Sequence, residues 1–178
     1  MSFVEQFDQL PIDAHCRTAQ EVSETEVAAA LARRDPGLGD LAALLSPAAA
    51  GQLERLAKRY KLCIVSDAIV SPGTCLRRVL ENHGLAAPFS GFAFSDEVGH
   101  SKPHRSMFDS AAQQLGVEIG EMLHVGDRDH NDVKGPQQLG MKAILFTASR
   151  DVDKGTTTAD AICESFDELE AAIERLDA

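Results

Sequence analysis

Leu123-His124-Val125-Gly126-Asp127-Arg128-Asp129-His130-Asn131-Asp132-Val133-Lys134-Gly135 decides how the chain is read. Residues 122–125 form a short run, mainly apolar on both faces, that stops at Gly126. Asp127, Asp129 and Asp132 follow at once. Short strands buried on both faces read this way, and they belong to parallel sheets. Open parallel sheets bind ligands beyond the carboxyl ends of their strands. The acids therefore stand where a site is expected.

Working outward, residues 62–66, 92–95, 143–147 and 161–163 repeat the pattern. Helical patterns alternate with them. Ser46-Pro47 opens one whose Leu53, Leu56, Ala57 and Tyr60 lie at helical spacing. A second carries Leu76, Val79 and Leu80 and stops at Gly84. A third carries Phe108, Ala111, Ala112 and Leu115 and stops at Gly116. The last starts at a capping box, Ser165-x-x-Glu168, and runs through Leu169, Ile173 and Leu176. Strands alternating with helices predict an α/β fold with a doubly wound parallel sheet. The first 47 residues are alanine-rich and mostly helical in pattern. The chain divides into a helical segment at 1–47 and an α/β core at 48–178.

With 178 residues, 44% hydrophobic, the chain can build one sizeable core. A formal net charge of −11 disfavours nucleic acid, whose phosphates are held by Lys and Arg. No apolar run approaches the ~20 residues of a membrane span. Cys16, Cys63, Cys75 and Cys163 are scattered without a CxxC pair, which argues against disulfides or a zinc knuckle and suggests a cytoplasmic setting.

After the strand at 62–66 stand Ser66 and Asp67; Lys102 follows the strand at 92–95. A hydroxyl, a lysine and carboxylates thus gather at one rim. Carboxylate oxygens suit Mg²⁺, which bridges to phosphate; serine and lysine suit the remaining phosphate oxygens. Singly, each has a plainer reading: Ser66 as a cap, Lys102 as a surface charge, Asp127 and Asp132 as first-turn acids of a helix. His124 reads as a packed core histidine, and Cys63 as a small apolar strand residue. Together the site residues describe phosphoryl transfer assisted by Mg²⁺.

In this order and spacing the sequence resembles the haloacid dehalogenase superfamily. Lys61-Leu62-Cys63-Ile64-Val65-Ser66-Asp67 is similar to its second motif, Ser101-Lys102-Pro103-His104 to its third, and His124-Val125-Gly126-Asp127-x4-Asp132-x2-Gly135 to its fourth. Asn82-His83-Gly84-Leu85 and Ser95-Asp96-Glu97-Val98-Gly99 are similar to the branch with a helical cap. The resemblance implies a Rossmann-like core at 48–173, phosphate binding by Ser66, Asp67 and Lys102, and a metal held by Asp127 and Asp132.

The family's first motif, a strand ending in Asp-x-Asp-x-Thr, has no clear counterpart. Its first Asp is the nucleophile and its second the general acid and base. Residues 2–8 offer a degenerate strand with Asp8 at the nucleophile position, followed by Gln9-Leu10-Pro11. Asp13-Ala14-His15 ranks lower, because it follows Pro11 rather than a strand. Asp151-Val152-Asp153-Lys154-Gly155-Thr156 is a decoy beyond the fifth strand. The resemblance puts the first-motif strand between those of motifs two and four. Leaving it out would cost ~1–3 kcal/mol for each backbone group left unpaired. Residues 2–8, a homodimer or another strand-donating partner would have to fill the gap, or the chain is part of a longer one.

The expectation is a cytoplasmic, Mg²⁺-dependent phosphatase of a small phosphorylated metabolite, with catalytic residues Asp8, Ser66 and Lys102. The alternative is a non-catalytic relative that binds a ligand or partner, or a split enzyme.

Overall fold

The computed structural model describes residues 47–68, 71–148 and 150–177. The expectations for the segment 1–46, including Asp8, Asp13 and the strand at 2–8, lie outside them.

The elements alternate as the sequence predicts. Helix α1 (Pro47–Ala57) precedes β1 (Leu62–Ser66), α2 (Gly73–Asn82) and β2 (Phe89–Phe94). A one-turn α3 (Ser95–Val98) and α4 (Arg105–Leu115) lead to β3 (Leu123–Gly126). Then come α5 (Gly135–Gln138), β4 (Lys142–Phe146), β5 (Ala161–Cys163) and α6 (Phe166–Asp177). α4 stops at Gly116, which takes φ 64°, a left-handed conformation that glycine adopts without a Cβ penalty. The α6 box is offset by one residue: Glu168 Oε2 accepts from the Glu164 amide at 3.0 Å, one position before Ser165.

Among the described residues all pairings are parallel, and the strands fall into two groups. β1 pairs with β2, and β3 pairs with β4, which pairs with β5. No described strand joins β1 to β3. Among the described residues, a space of about 920 Å³ lies between them, lined by residues of both strands and by side chains of α1, α4 and α6.

Packing holds the two groups together around this space. Leu56 of α1 and Leu169 of α6 share a cluster with Ile144 and Phe146, against which both Leu62 and Leu123 pack. α1 and α6 are also linked by Arg55 to Glu170 at 3.2 Å, Arg59 to Glu174, and Tyr60 to Asp177 at 3.2 Å. These contacts are solvent-exposed, so each adds little beyond the apolar packing.

Two cysteine expectations are revised. Cys75 is disulfide-bonded, whereas Cys63 and Cys163 are free; scattered spacing does not limit which thiols folding brings together. Cys63 lines this space instead of being sealed in a core. Burial still pushes its thiol up to about 11. Thiolate is the reactive form, so iodoacetamide at pH 8 will alkylate Cys63 ~100-fold more slowly than a free cysteine. Peptide mass spectrometry of the native chain measures this. No described helix is long and apolar enough to cross a membrane.

Candidate active site

β1, the segment after α3, and β3 bring Ser66, Lys102, Asp127 and Asp132 to one rim of the space between β1 and β3. The centre of the arrangement is Asp132, 2% exposed. Its Oδ1 accepts from Lys102 Nζ at 2.6 Å and lies 3.1 Å from His124 Nε2. Its Oδ2 accepts from the Arg128 amide at 3.0 Å. Burial by itself would raise this carboxyl, but the His124 hydrogen bond and the Lys102 charge outweigh it and hold it well below the usual carboxylate range. Burial lowers the His124 imidazole despite its bond to Asp132. The neutral ring therefore carries its proton on Nε2 and donates it to the carboxylate.

Local sequence makes this possible. Residues 129–134 form a wide π-helical turn, a form frequent at functional sites. It turns Asp132 back under the end of β3, where only glycine fits. A Cβ at Gly126 would stand 2.6 Å from Asp132 Cβ and Oδ2.

Asp67 is also at the rim, but its carboxylate faces protein. Oδ1 accepts from the Lys102 amide at 2.8 Å and Oδ2 from Asn131 Nδ2 at 3.4 Å. These bonds tie the end of β1 to the segment that carries Lys102 and to the turn after β3. Ser66 ends β1, half-buried and at the same rim.

Three contributors escaped the sequence reading. His124 is indeed packed, edge-on to Phe108 with ring centroids 5.4 Å apart, yet it also orients Asp132. Asn131 ties the loop after β3 to β1 through Asp67. Arg150 donates to the Asp127 carbonyl at 2.9 Å and to Asp153, whose Oδ2 accepts from the Asp129 amide at 3.2 Å. Asn131 sits inside the quoted motif, where its type was a signal. Nothing local marks Arg150, which arrives from beyond β4.

The donor set bears on the implied metal. Its oxygens are hard donors, which suits Mg²⁺ rather than a thiolate-seeking ion. Asp127 is 7% exposed at the end of β3. Asp132 has most of its acceptor capacity taken. Among the described residues no group of three His, Cys, Asp or Glu side chains gathers to hold a metal. The residue types are of the kind that suits Mg²⁺.

Comparison with known proteins identifies the family and the fold. The model of the haloacid dehalogenase-like hydrolase family matches residues 3–140. The chain is 36% identical over 91 residues to the 5-amino-6-(5-phospho-D-ribitylamino)uracil phosphatase of Escherichia coli, covering 51% of this chain and 35% of that one. It is 38% identical over 87 residues to the glyceraldehyde 3-phosphate phosphatase of Pyrococcus abyssi, covering 49% and 35%. The chain thus spans about a third of the length of these curated relatives. Among solved structures, a HAD phosphatase from Thermococcus onnurineus superposes with a TM-score of 0.63 at 25% identity, covering 91% of this chain and 77% of that one. A predicted phosphoglycolate phosphatase from Haemophilus somnus superposes at 0.63 with 20% identity, covering 91% and 73%, a likeness of fold.

Proposed function

The chain belongs to the haloacid dehalogenase-like hydrolases, with their Rossmann-like α/β fold, and from that premise we propose that it is a Mg²⁺-dependent phosphatase of a small phosphorylated metabolite. The observation that carries this reading is the convergence of Ser66, Lys102, Asp127 and Asp132 on one rim. Relatives named as phosphatases support it.

In this reading the Ser66 hydroxyl and the Lys102 ammonium hold phosphoryl oxygens. Lys102 uses one donor on Asp132 and keeps two for substrate. Asp127 supplies a carboxylate oxygen to Mg²⁺, and Asp132 orients Lys102 and the loop around the ion. The metal, when bound, neutralises phosphoryl charge. Asp8 is the candidate nucleophile. Its carboxylate oxygen bonds to phosphorus as the ester P–O bond breaks and the alkoxide leaves. Water then cleaves the aspartyl phosphate at phosphorus, returning the carboxylate and inorganic phosphate.

The test is hydrolysis of p-nitrophenyl phosphate by the full chain. Turnover with Mg²⁺ will fall at least ~10²-fold in EDTA and in Asp127→Asn. Turnover undiminished in EDTA would sink the metal reading. No turnover, with Mg²⁺ or phosphate still bound, would favour the non-catalytic alternative.

Leaving-group dependence is a further expectation. Leu10 stands two residues after Asp8, where the family resemblance puts the general acid. General acid catalysis is worth ~10²–10⁴-fold. An aryl ester, whose phenolate leaves without a proton, will therefore turn over at least ~10²-fold faster than an alkyl ester. Equal kcat/KM for the two would show that another group protonates the leaving oxygen.

A further inference from the structure

The acids after β3 do not all serve one purpose. Asp127 and Asp132 stand at the rim with Lys102. Asp129, between them in sequence and buried, is taken up elsewhere. Its Oδ1 accepts from Thr157 Oγ1 at 2.7 Å and its Oδ2 from Lys134 Nζ at 2.6 Å. Its amide donates to Asp153 Oδ2 at 3.2 Å. Arg150 donates to that same Asp153 oxygen and, at 2.9 Å, to the Asp127 carbonyl. The segment beyond β4, a decoy for the first motif in the sequence, is thus bound to the turn that carries both rim acids.

That segment offers a firm base. The Lys154 amide donates to the Asp151 carbonyl at 3.0 Å, and the Thr156 and Thr157 amides to the Asp153 carbonyl at 3.1 and 3.0 Å. The Ala159 amide donates to Thr157 Oγ1 at 3.1 Å. The Arg150 hydrogen bond holds the Asp153 carboxyl below its ordinary value, so the pair stays ionised together. β3 pairs with β4 only as far as Gly126, opposite Leu145. The Asp127 carbonyl lies past that ladder, where Arg150 supplies a donor.

We propose that Arg150 and Asp153 are positioning residues for the carboxylate that holds Mg²⁺. They fix the backbone at Asp127 and at Asp129, and so set the aim of the Asp127 side chain and the course of the turn to Asp132. The proposal rests on the Mg²⁺ reading above and concerns what keeps its ligand in place. Position and charge act here with opposite signs. A guanidinium beside a Mg²⁺ site repels the ion, so removing the charge alone would tighten binding. Removing a positioning contact weakens it.

Isothermal titration of the full chain with Mg²⁺, without substrate, reads that sign. Arg150→Met will raise the Kd at least ~10-fold, since groups that orient metal ligands are worth ~10–100-fold in affinity. Lys154→Met removes a cation from the same segment, where it bonds Glu164 in solvent, and will change the Kd by less than ~2-fold. Amide exchange at 127–132 will speed at least ~10-fold in Arg150→Met, while that of 144–146 in β4 stays as it was. If Arg150→Met fails to fold, Asp153→Asn, which keeps the side chain's shape and loosens the guanidinium, decides by the same two measurements. An unchanged or lower Kd overturns the proposal, and so does an equal rise in Lys154→Met. A raised Kd with unchanged exchange at 127–132 overturns it too, because the turn has not moved. A wild-type chain that binds no Mg²⁺ overturns it together with the metal reading, whereas wild-type binding that the variants leave intact overturns it alone.

Discussion

Asp132→Ala will destabilise the chain by about 3–5 kcal/mol and abolish turnover, because it leaves a buried cation without its partner. The Lys102 side chain is 12% exposed and its Nζ bonds Asp132 at 2.6 Å. The His124 ring, also buried, loses its acceptor at the same time. Urea unfolding measures the loss, and a mutant cycle assigns it. Lys102→Met combined with Asp132→Ala will cost less than the two single changes added, with a coupling of about 2 kcal/mol. Simple additivity would show that the pair does not interact. The pH dependence carries the same signature. Asp132 titrates lower in the folded chain than in the unfolded one. Its contribution is therefore present above the unfolded carboxylate value, about 3.9, and is lost as pH falls below it. Asp132→Asn will flatten that part of the stability curve.

Gly126→Ala is the second large effect. The added Cβ would stand 2.6 Å from Asp132 Cβ and Oδ2, closer than real contacts allow. The carboxylate cannot swing aside without breaking its bonds to Lys102, His124 and the Arg128 amide. Overpacking of this kind costs about 2–3 kcal/mol, and the displaced Lys102 will lower turnover as well. Gly155→Ala is the control: nothing lies within 4 Å of its new Cβ, so its midpoint will move by less than about 0.5 kcal/mol. Equal losses for the two would refute the steric account.

Much of this was legible in the sequence, because alternation and punctuation are local signals. The strands at 62–66 and 161–163 fall where their β-rich runs predict. The others are displaced by one to three residues at their ends, as with β2 at Phe89–Phe94, where the bend at Ala86-Ala87-Pro88 hid the true start. α3 was missed because four residues are too few to show a period. Of the candidate site, the sequence marks Ser66, Lys102, Asp127 and Asp132 by residue type after strand ends. It does not mark the links among them. That Asp67 fixes the Lys102 amide, or that Arg150 reaches the Asp127 carbonyl across 23 residues, depends on tertiary approach. No spacing rule encodes that.

The order of the strands also bears on assembly. Among the described residues, β1 with β2 lies within residues 62–94, and β3 through β5 within 123–163. Each is a contiguous unit that forms from near neighbours, and such units fold early. Asn131 with Asp67 then links the two units, and Lys102, from the chain between them, bonds Asp132 of the second. The polar centre of the candidate site is therefore completed late, and in refolding it is regained after the secondary structure of either unit.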